Sequence, residues 1–258
     1  MPSYFRSWMD FLNFSHSARH ERRYLQSDDA NSFLDALLAS STTRHRLITK
    51  RGAVWRAQVG CDSRDCDDGT QQWDEPTPYA PKRMKPIRGS AYEGRINPKG
   101  IACLYVSNNR ETAMAEVRPW VGSTISLGQF QLSKNLKLID FSVGHDSKLE
   151  PLFDEPTPEE LDENIWAQVD RAFSEPVEPT HLSAEYIPTQ IIAELFRSNG
   201  FDGVVYKSKL GPGLNFGLFD LEAAELRSCS LVSVKSVSFT FGELERTYHA
   251  KTPPNAEA

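Results

Sequence analysis

Gly94-Arg95-Ile96-Asn97-Pro98-Lys99-Gly100-Ile101-Ala102-Cys103-Leu104-Tyr105-Val106-Ser107 sets the character of this chain. An arginine and an asparagine occupy a turn bounded by two glycines, and the turn feeds directly into an apolar run. Ile101 to Val106, with hardly a polar interruption, reads as a central strand buried on both faces, and Tyr105 stands at its end. Asn109 is placed to cap a helix that begins at Arg110 and runs through Val117, with Pro119 stopping it. Inside that helix Glu116 is a carboxylate among Ala113, Met114, Ala115 and Val117. Such a residue is either a solvent-facing helix position or a charge kept beside the core for a reason.

Working outward, Val54 to Val59 alternates like a half-buried strand, with Trp55, Ala57 and Val59 on one side and Arg56 on the other. The polar stretch from Gly60 to about Gly89 reads as a long loop, either mobile or a lid over a site. Strands are expected at Ser126 to Leu132, Leu136 to Phe141, Gly203 to Tyr206 and Asn215 to Phe219. Thr157-Pro158-Glu159-Glu160 is a helix start with a threonine cap, a proline in the first turn and a glutamate at the third position. Ile165, Trp166, Val169 and Phe173 follow it at helical spacing. Pro188 to Ser198 is a second helix, closed by Asn199-Gly200. Tyr206-Lys207-Ser208 again puts polar residues at a strand end, and Gly211-Pro212-Gly213 reads as a turn.

Residues 1–50 are expected to form a helical extension. Ser27-Asp28-Asp29 precedes a stripe of Phe33, Leu34, Leu37 and Leu38, and Ser32 with Asp35 is the expected capping box. Residues 51–248 would form the main domain and 249–258 a disordered tail. Strands that seldom alternate regularly with helices favour an α+β fold over a doubly wound parallel sheet.

Bulk properties narrow the function classes. The chain has 258 residues, 39% hydrophobic and 25% charged, the profile of a globular protein. Its formal net charge is −6, and the densest positive stretch, Lys82, Arg83, Lys85 and Arg88, is short and broken by Pro86, so direct nucleic-acid binding is not expected. No apolar run is long enough to cross a bilayer, and Met1 to Phe14 lacks the features of a signal peptide. Cys61, Cys66, Cys103 and Cys229 are too few and scattered for a disulfide scaffold and read as free thiols of a cytoplasmic protein. The six histidines read as surface residues, and no metal site is expected. Nucleophile elbows, P-loops and zinc-protease motifs are absent.

Several blocks, taken in order from Trp55 to Phe219, resemble the RES domain, a family named for an arginine, a glutamate and a serine. Val54-Trp55-Arg56-Ala57 is similar to its opening strand, Gly94-Arg95-Ile96-Asn97-Pro98-Lys99-Gly100 to its glycine-arginine turn, and Leu104-Tyr105-Val106-Ser107 to the strand that follows. Glu111 to Val117 resembles the helix ending in the family glutamate, and Tyr186-Ile187-Pro188-Thr189-Gln190 a later helix start. Gly200 to Ser208 resembles the strand carrying the serine, and Asn215 to Phe219 the closing strand. The sequence departs from the pattern at Ile96, where many relatives carry an aromatic, and in the length of the 60–89 stretch.

The resemblance implies a fold like that of the ADP-ribosyltransferase toxins, with a split, largely antiparallel β core and helices around an NAD cleft. It implies an NAD-degrading toxin of a toxin–antitoxin pair, acting by phosphorolysis to ADP-ribose phosphate and nicotinamide or by hydrolysis, with phosphate as a co-substrate in the first case. A protein ADP-ribosyltransferase and an inactive NAD-binding module are the alternatives. It implies catalytic roles for Glu116, Arg95 and Arg56, and contacts to NAD from Arg56, Arg95, Asn97, Tyr105 and Ser208. Asn97 either touches the ligand or holds the turn. A protein antitoxin and self-association are the implied partners.

Overall fold

In the computed structural model of the chain, residues 3–145, 156–177 and 182–242 are described. The expected tail at 249–258 lies outside them. The elements run α1 (Asp10–His20), α2 (Asp28–Ser40), β1 (His45–Ile48), β2 (Ala53–Val59), β3 (Asp62–Asp67), β4 (Gln72–Thr77), β5 (Leu104–Ser107), α3 (Arg110–Glu116), β6 (Thr124–Leu132) and β7 (Leu136–Asp140). They continue with α4 (Pro158–Ser174), α5 (Leu182–Glu185), α6 (Ile187–Ser198), β8 (Gly203–Lys207), β9 (Leu214–Leu218) and β10 (Ala224–Ser233).

Eight strands form one sheet in the order β1-β7-β8-β9-β5-β2-β6-β10. All neighbours are antiparallel except β7 and β8, so the fold is α+β and largely antiparallel. β2 and β5 meet at a single residue pair, Trp55 opposite Ser107. The sheet is therefore split there, with β1-β7-β8-β9-β5 on one side and β2-β6-β10 on the other.

β7 and β8, in the middle of the first half, are covered on both faces, which explains their continuous apolar runs. On one face Ile139, Val204 and Tyr206 pack with Phe141, Ile165, Trp166, Phe173, Ile192 and Phe196 under the helices. Phe141 and Phe173 stack with ring centroids 4.1 Å apart. On the other face Leu104, Val106, Leu138, Val205 and Phe216 pack with Val54, Phe130, Tyr79 and Met84.

Local signals set the helix ends. Thr157 and Glu160 form the reciprocal capping box of α4, Asn109 accepts from the Thr112 amide at 2.9 Å to start α3, and Gly200 follows α6 at φ +79°.

The N-terminal stretch differs from the expectation at its end. Residues His45–Ile48 are not helical but form edge strand β1, bonded to β7. Four residues are too few to show a period, and the strand exists because β7 offers it a ladder. The helices α1 and α2 share the larger core, where Phe14 stacks on Phe33 at 4.9 Å. The cap of α2 is Ser27, which accepts from the Ala30 amide at 3.3 Å, whereas the Ser32 hydroxyl donates to the Asp28 carbonyl at 2.8 Å. The expected box at Ser32 and Asp35 is thus one turn too late.

The 60–89 stretch is not a structureless loop. β3 and β4 pair as a two-stranded hairpin, and both strands face solvent, so no apolar alternation marked them. Beyond the hairpin Tyr79 and Met84 plug the sheet, Met84 being fully buried. β10, to which sequence reasoning assigned no strand, pairs with β6 along its length with a bulge between Leu226 and Ser228. Polar and apolar residues mix along it, and all but the buried Ala224 are at least partly exposed, as suits an edge.

Candidate active site

The turn at Gly94–Asn97 is held from three directions. Its own ends form a bridge. Gln190 at the start of α6 donates to the Gly94 carbonyl at 2.9 Å and the Asn97 carbonyl at 3.1 Å, and the Thr189 hydroxyl donates to the Arg95 carbonyl at 2.7 Å. Asn97 donates from its amide to the carbonyls of Tyr92, Pro98 and Ile101. The Tyr105 hydroxyl donates to Asn97 Oδ1 at 2.7 Å and accepts from the Ile96 amide at 3.0 Å. Gly94 has to be glycine, since a Cβ there would sit 2.6 Å from that hydroxyl. Ile96 in turn lies over Gly217, where a Cβ would meet its Cδ1 at 2.4 Å.

A cleft of 420 Å³ opens where the sheet splits, lined by Trp55, Arg56 and Ala57 of β2, Tyr105, Val106 and Ser107 of β5, and the end of α3. Cross-strand pairs Tyr206–Asn215, Asn215–Ser107 and Ser107–Trp55 form one row across β8, β9, β5 and β2. Directly opposed residues point to one face, so these four side chains make a continuous floor.

Arg56 fills the split: its Nη1 donates to the Tyr105 carbonyl at 3.0 Å, while its Nε is buried without a partner. Burial lowers its pKa, opposed by Tyr105. A desolvated guanidinium with spare donors and, among the described residues, no carboxylate paired with it is matched by an anion.

Arg95 leaves the turn toward the end of α4. Its Nη1 and Nη2 each donate at 2.7 Å, to the carbonyls of Ala172 and Glu175, where the helix leaves acceptors unsatisfied. It also lies 5.3 Å from the Tyr186 ring and 5.7 Å from the Tyr206 ring. Part of its donor fork is thus spent on the fold rather than presented whole to a ligand. Burial pushes the Tyr206 hydroxyl far above its ordinary range, opposed by Arg95 and reinforced by Glu116, which puts all three in one electrostatic neighbourhood.

Glu116 is the last residue of α3 and lies on the cleft wall. Its Oε1 accepts from Ser208 at 2.7 Å and from Asn215 at 2.6 Å. Of the two readings the sequence left open, neither is complete: the residue is solvent-exposed, yet one carboxylate oxygen is anchored to the floor. Among the described residues no ion pair joins Glu116, Arg56, Arg95 or Arg118 to another side chain.

Of the residues singled out from sequence, Arg56, Arg95, Tyr105 and Glu116 meet in the cleft. Ser208 is buried and engages Glu116. Asn97 is 1% exposed, and its amide and Oδ1 are all used inside the turn, so it holds the turn rather than reaching a ligand. The Tyr105 hydroxyl is engaged in the same way, leaving the ring as the part that faces the cleft. Sequence reasoning missed Ser107, Asn215, Arg118 and Tyr186 as parts of this wall. A polar residue inside a buried strand, as at Asn215, was the available signal. His145 is no surface histidine: its Nδ1 lies 2.6 Å from Asp170 Oδ2, and both side chains are largely buried. Among the described residues no cluster of histidine, cysteine, aspartate or glutamate suits a metal ion.

A split, largely antiparallel sheet carrying a cationic cleft with one anchored carboxylate defines the class of domain. A family model described as the RES domain matches residues 71–241, and the chain belongs to the RES-domain family. Arg56 lies upstream of the matched span. Among solved structures, the chain is similar to one from the M. tuberculosis MbcT–MbcA toxin–antitoxin complex, with 13% identity, a TM-score of 0.42 and coverage of 76% of this chain and 92% of that one. No curated protein matches.

Proposed function

We propose that this protein cleaves the nicotinamide–ribose bond of NAD, by phosphorolysis or hydrolysis, as the toxin of a toxin–antitoxin pair in the cytoplasm. One observation carries the reading: among the described residues, Glu116 has one oxygen anchored and the other without a protein donor, in a cleft whose arginines have no carboxylate partner. Breaking the bond builds positive charge on the ribose, as in glycoside cleavage, and a fixed carboxylate beside the ring stabilises that charge. Nicotinamide departs neutral, so no strong general acid is needed. Arg56, Arg118 and the remaining N–H groups of Arg95 suit a diphosphate or a phosphate acceptor. The rings of Tyr105, Tyr186 and Trp55 offer flat apolar surface to nicotinamide or adenine. A protein antitoxin and self-association belong to the same proposal and rest on the family.

The test is NAD loss by the purified protein with and without phosphate, alongside Glu116→Gln and Arg95→Ala variants checked for folding. Loss that Glu116→Gln abolishes supports the reading, and a phosphate-dependent ADP-ribose phosphate product assigns phosphorolysis. Folded wild-type protein that leaves NAD intact in both buffers overturns it and favours a protein-directed ADP-ribosyltransferase or an inactive binding module.

A further inference from the structure

The hydrogen bonds under Glu116 form a directed chain. The Ser107 hydroxyl donates to Asn215 Oδ1 at 2.5 Å, which makes that atom the acceptor end of the amide. The amide nitrogen is thereby committed to Glu116 Oε1, which it reaches at 2.6 Å. Ser208, the second donor to the same oxygen, sits on the far side of β9, just beyond the end of β8. Ser107, Asn215 and Ser208 are 2%, 4% and 4% exposed.

This arrangement is more specific than support for a helix end. Buried polar groups inside a strand pair normally satisfy each other or the backbone. Here a serine and an asparagine, cross-strand partners on β5 and β9, spend their hydrogen bonds in series on one carboxylate oxygen of a third element. Two donors on Oε1, and none from the described residues on Oε2, make the two oxygens inequivalent. We infer that Asn215, oriented by Ser107, is a positioning residue that fixes the Glu116 carboxylate so that Oε2 faces the cleft. Asn215 acts through Glu116 and does not itself meet the reacting bond. Its contribution to turnover rests on the NAD-cleaving reading above; the positioning itself does not.

Ser107→Ala and Asn215→Leu remove the orienting and the donating hydrogen bond, and Ser107→Thr restores a hydroxyl. In an active enzyme, Asn215→Leu lowers kcat on the order of 10²-fold, the effect of losing one preorganised donor, with KM changed far less. Ser107→Ala gives a smaller fall in kcat of the same kind, and Ser107→Thr recovers most of it. Adding Ser208→Ala to Asn215→Leu costs more than the product of the single effects, since either donor alone still holds the shared oxygen and the pair removes its anchor. Equal changes in kcat and KM tracking a lowered Tm in every variant, or unchanged kcat in Asn215→Leu, would overturn the inference.

A second readout needs no activity. With ¹³C-labelled glutamate, the Glu116 side chain of the wild-type protein should show one rotamer, and that of Ser107→Ala and Asn215→Leu an averaged one. If wild-type protein leaves NAD intact but the rotamer still averages in the variants, the NAD reading has failed and the positioning stands. A Glu116 rotamer indifferent to both substitutions sinks the positioning, whatever the activity.

Discussion

Tyr105 and Asn97 are locked together by a 2.7 Å hydrogen bond from the tyrosine hydroxyl to Oδ1, and the same hydroxyl accepts from the Ile96 amide. The pair ties the floor of the cleft to the turn that carries Arg95. Burial raises the Tyr105 hydroxyl well above its ordinary range, so it stays a neutral donor. Tyr105→Phe strands the Asn97 and Ile96 partners and should cost about 1–3 kcal/mol in urea unfolding. Under the NAD reading it should leave the chemistry of the cleft in place, with a KM change of a few-fold. Wild-type stability together with complete loss of NAD turnover would show instead that the hydroxyl meets the ligand.

Arg118 stands at φ +45°, a left-handed conformation that side chains other than glycine adopt at a cost, and it lines the cleft two residues beyond Glu116. Arg118→Gly should leave stability unchanged or raise it by up to about 1 kcal/mol. The same substitution should raise KM for NAD severalfold while kcat holds, as expected for a residue that contributes binding alone. Thermal unfolding and steady-state kinetics on one preparation check both halves. A destabilised protein with unaltered KM would deny the residue any ligand role.

Met84 fills the second face of the sheet, with its Cε beside Gly128. Met84→Ala should cost about 2–5 kcal/mol, the range for emptying a core site, and leave the kinetics of the folded fraction unaltered. Were the segment a lid over the cleft, turnover would fall with stability intact. Denaturant unfolding and activity at equal folded concentration distinguish the two.

Asp170 is pushed above the ordinary carboxylate range, chiefly by burial, with His145, Lys209 and Arg44 pulling it back. A carboxyl raised in the folded state contributes stability that is present at low pH and is lost as pH rises through its folded titration. Asp170→Asn removes that dependence. The unfolding free energy of Asp170→Asn minus that of the wild type should therefore rise between about pH 4 and pH 7, the span bracketing carboxylate titration. A difference that falls over the same span would mean that the His145 interaction outweighs desolvation.

Much of this molecule is legible wherever the chemistry is local. The capping box at Thr157, the Asn109 cap and the Gly200 stop each involve residues within a turn of one another, so their side chains declare the helix without help from the rest of the chain. The apolar run expected as a strand from Ile101 to Val106 pairs only from Leu104 to Ser107, Ile101 being exposed, while the run expected from Gly203 to Tyr206 is strand to Lys207, with Val205 packed on one face and Tyr206 on the other. The turn at Gly94–Asn97 is legible from its bounding glycines, and the 2.6 Å approach of a Cβ at Gly94 to the Tyr105 hydroxyl is the structural reason for the first of them.

Polarity hid the remainder. β3, β4 and β10 have at least one wet face, and β1 is four residues long; such strands exist by virtue of their neighbours, and their own residues carry little period. The site was concealed in the same way. Glu116 reads as an ordinary helix carboxylate until Ser208 and Asn215, 92 and 99 positions away, converge on one of its oxygens. Arg56 reads as a solvent-facing strand residue until β2 and β5 part and leave it between them. By itself the sequence determined the caps, the buried strands and the residue types available for chemistry, since these follow from neighbours along the chain. Tertiary structure alone decided which strands close the sheet, where it splits, and which oxygen of Glu116 is anchored to the floor, because a hydrogen bond across β5, β9 and α3 is a property of packing.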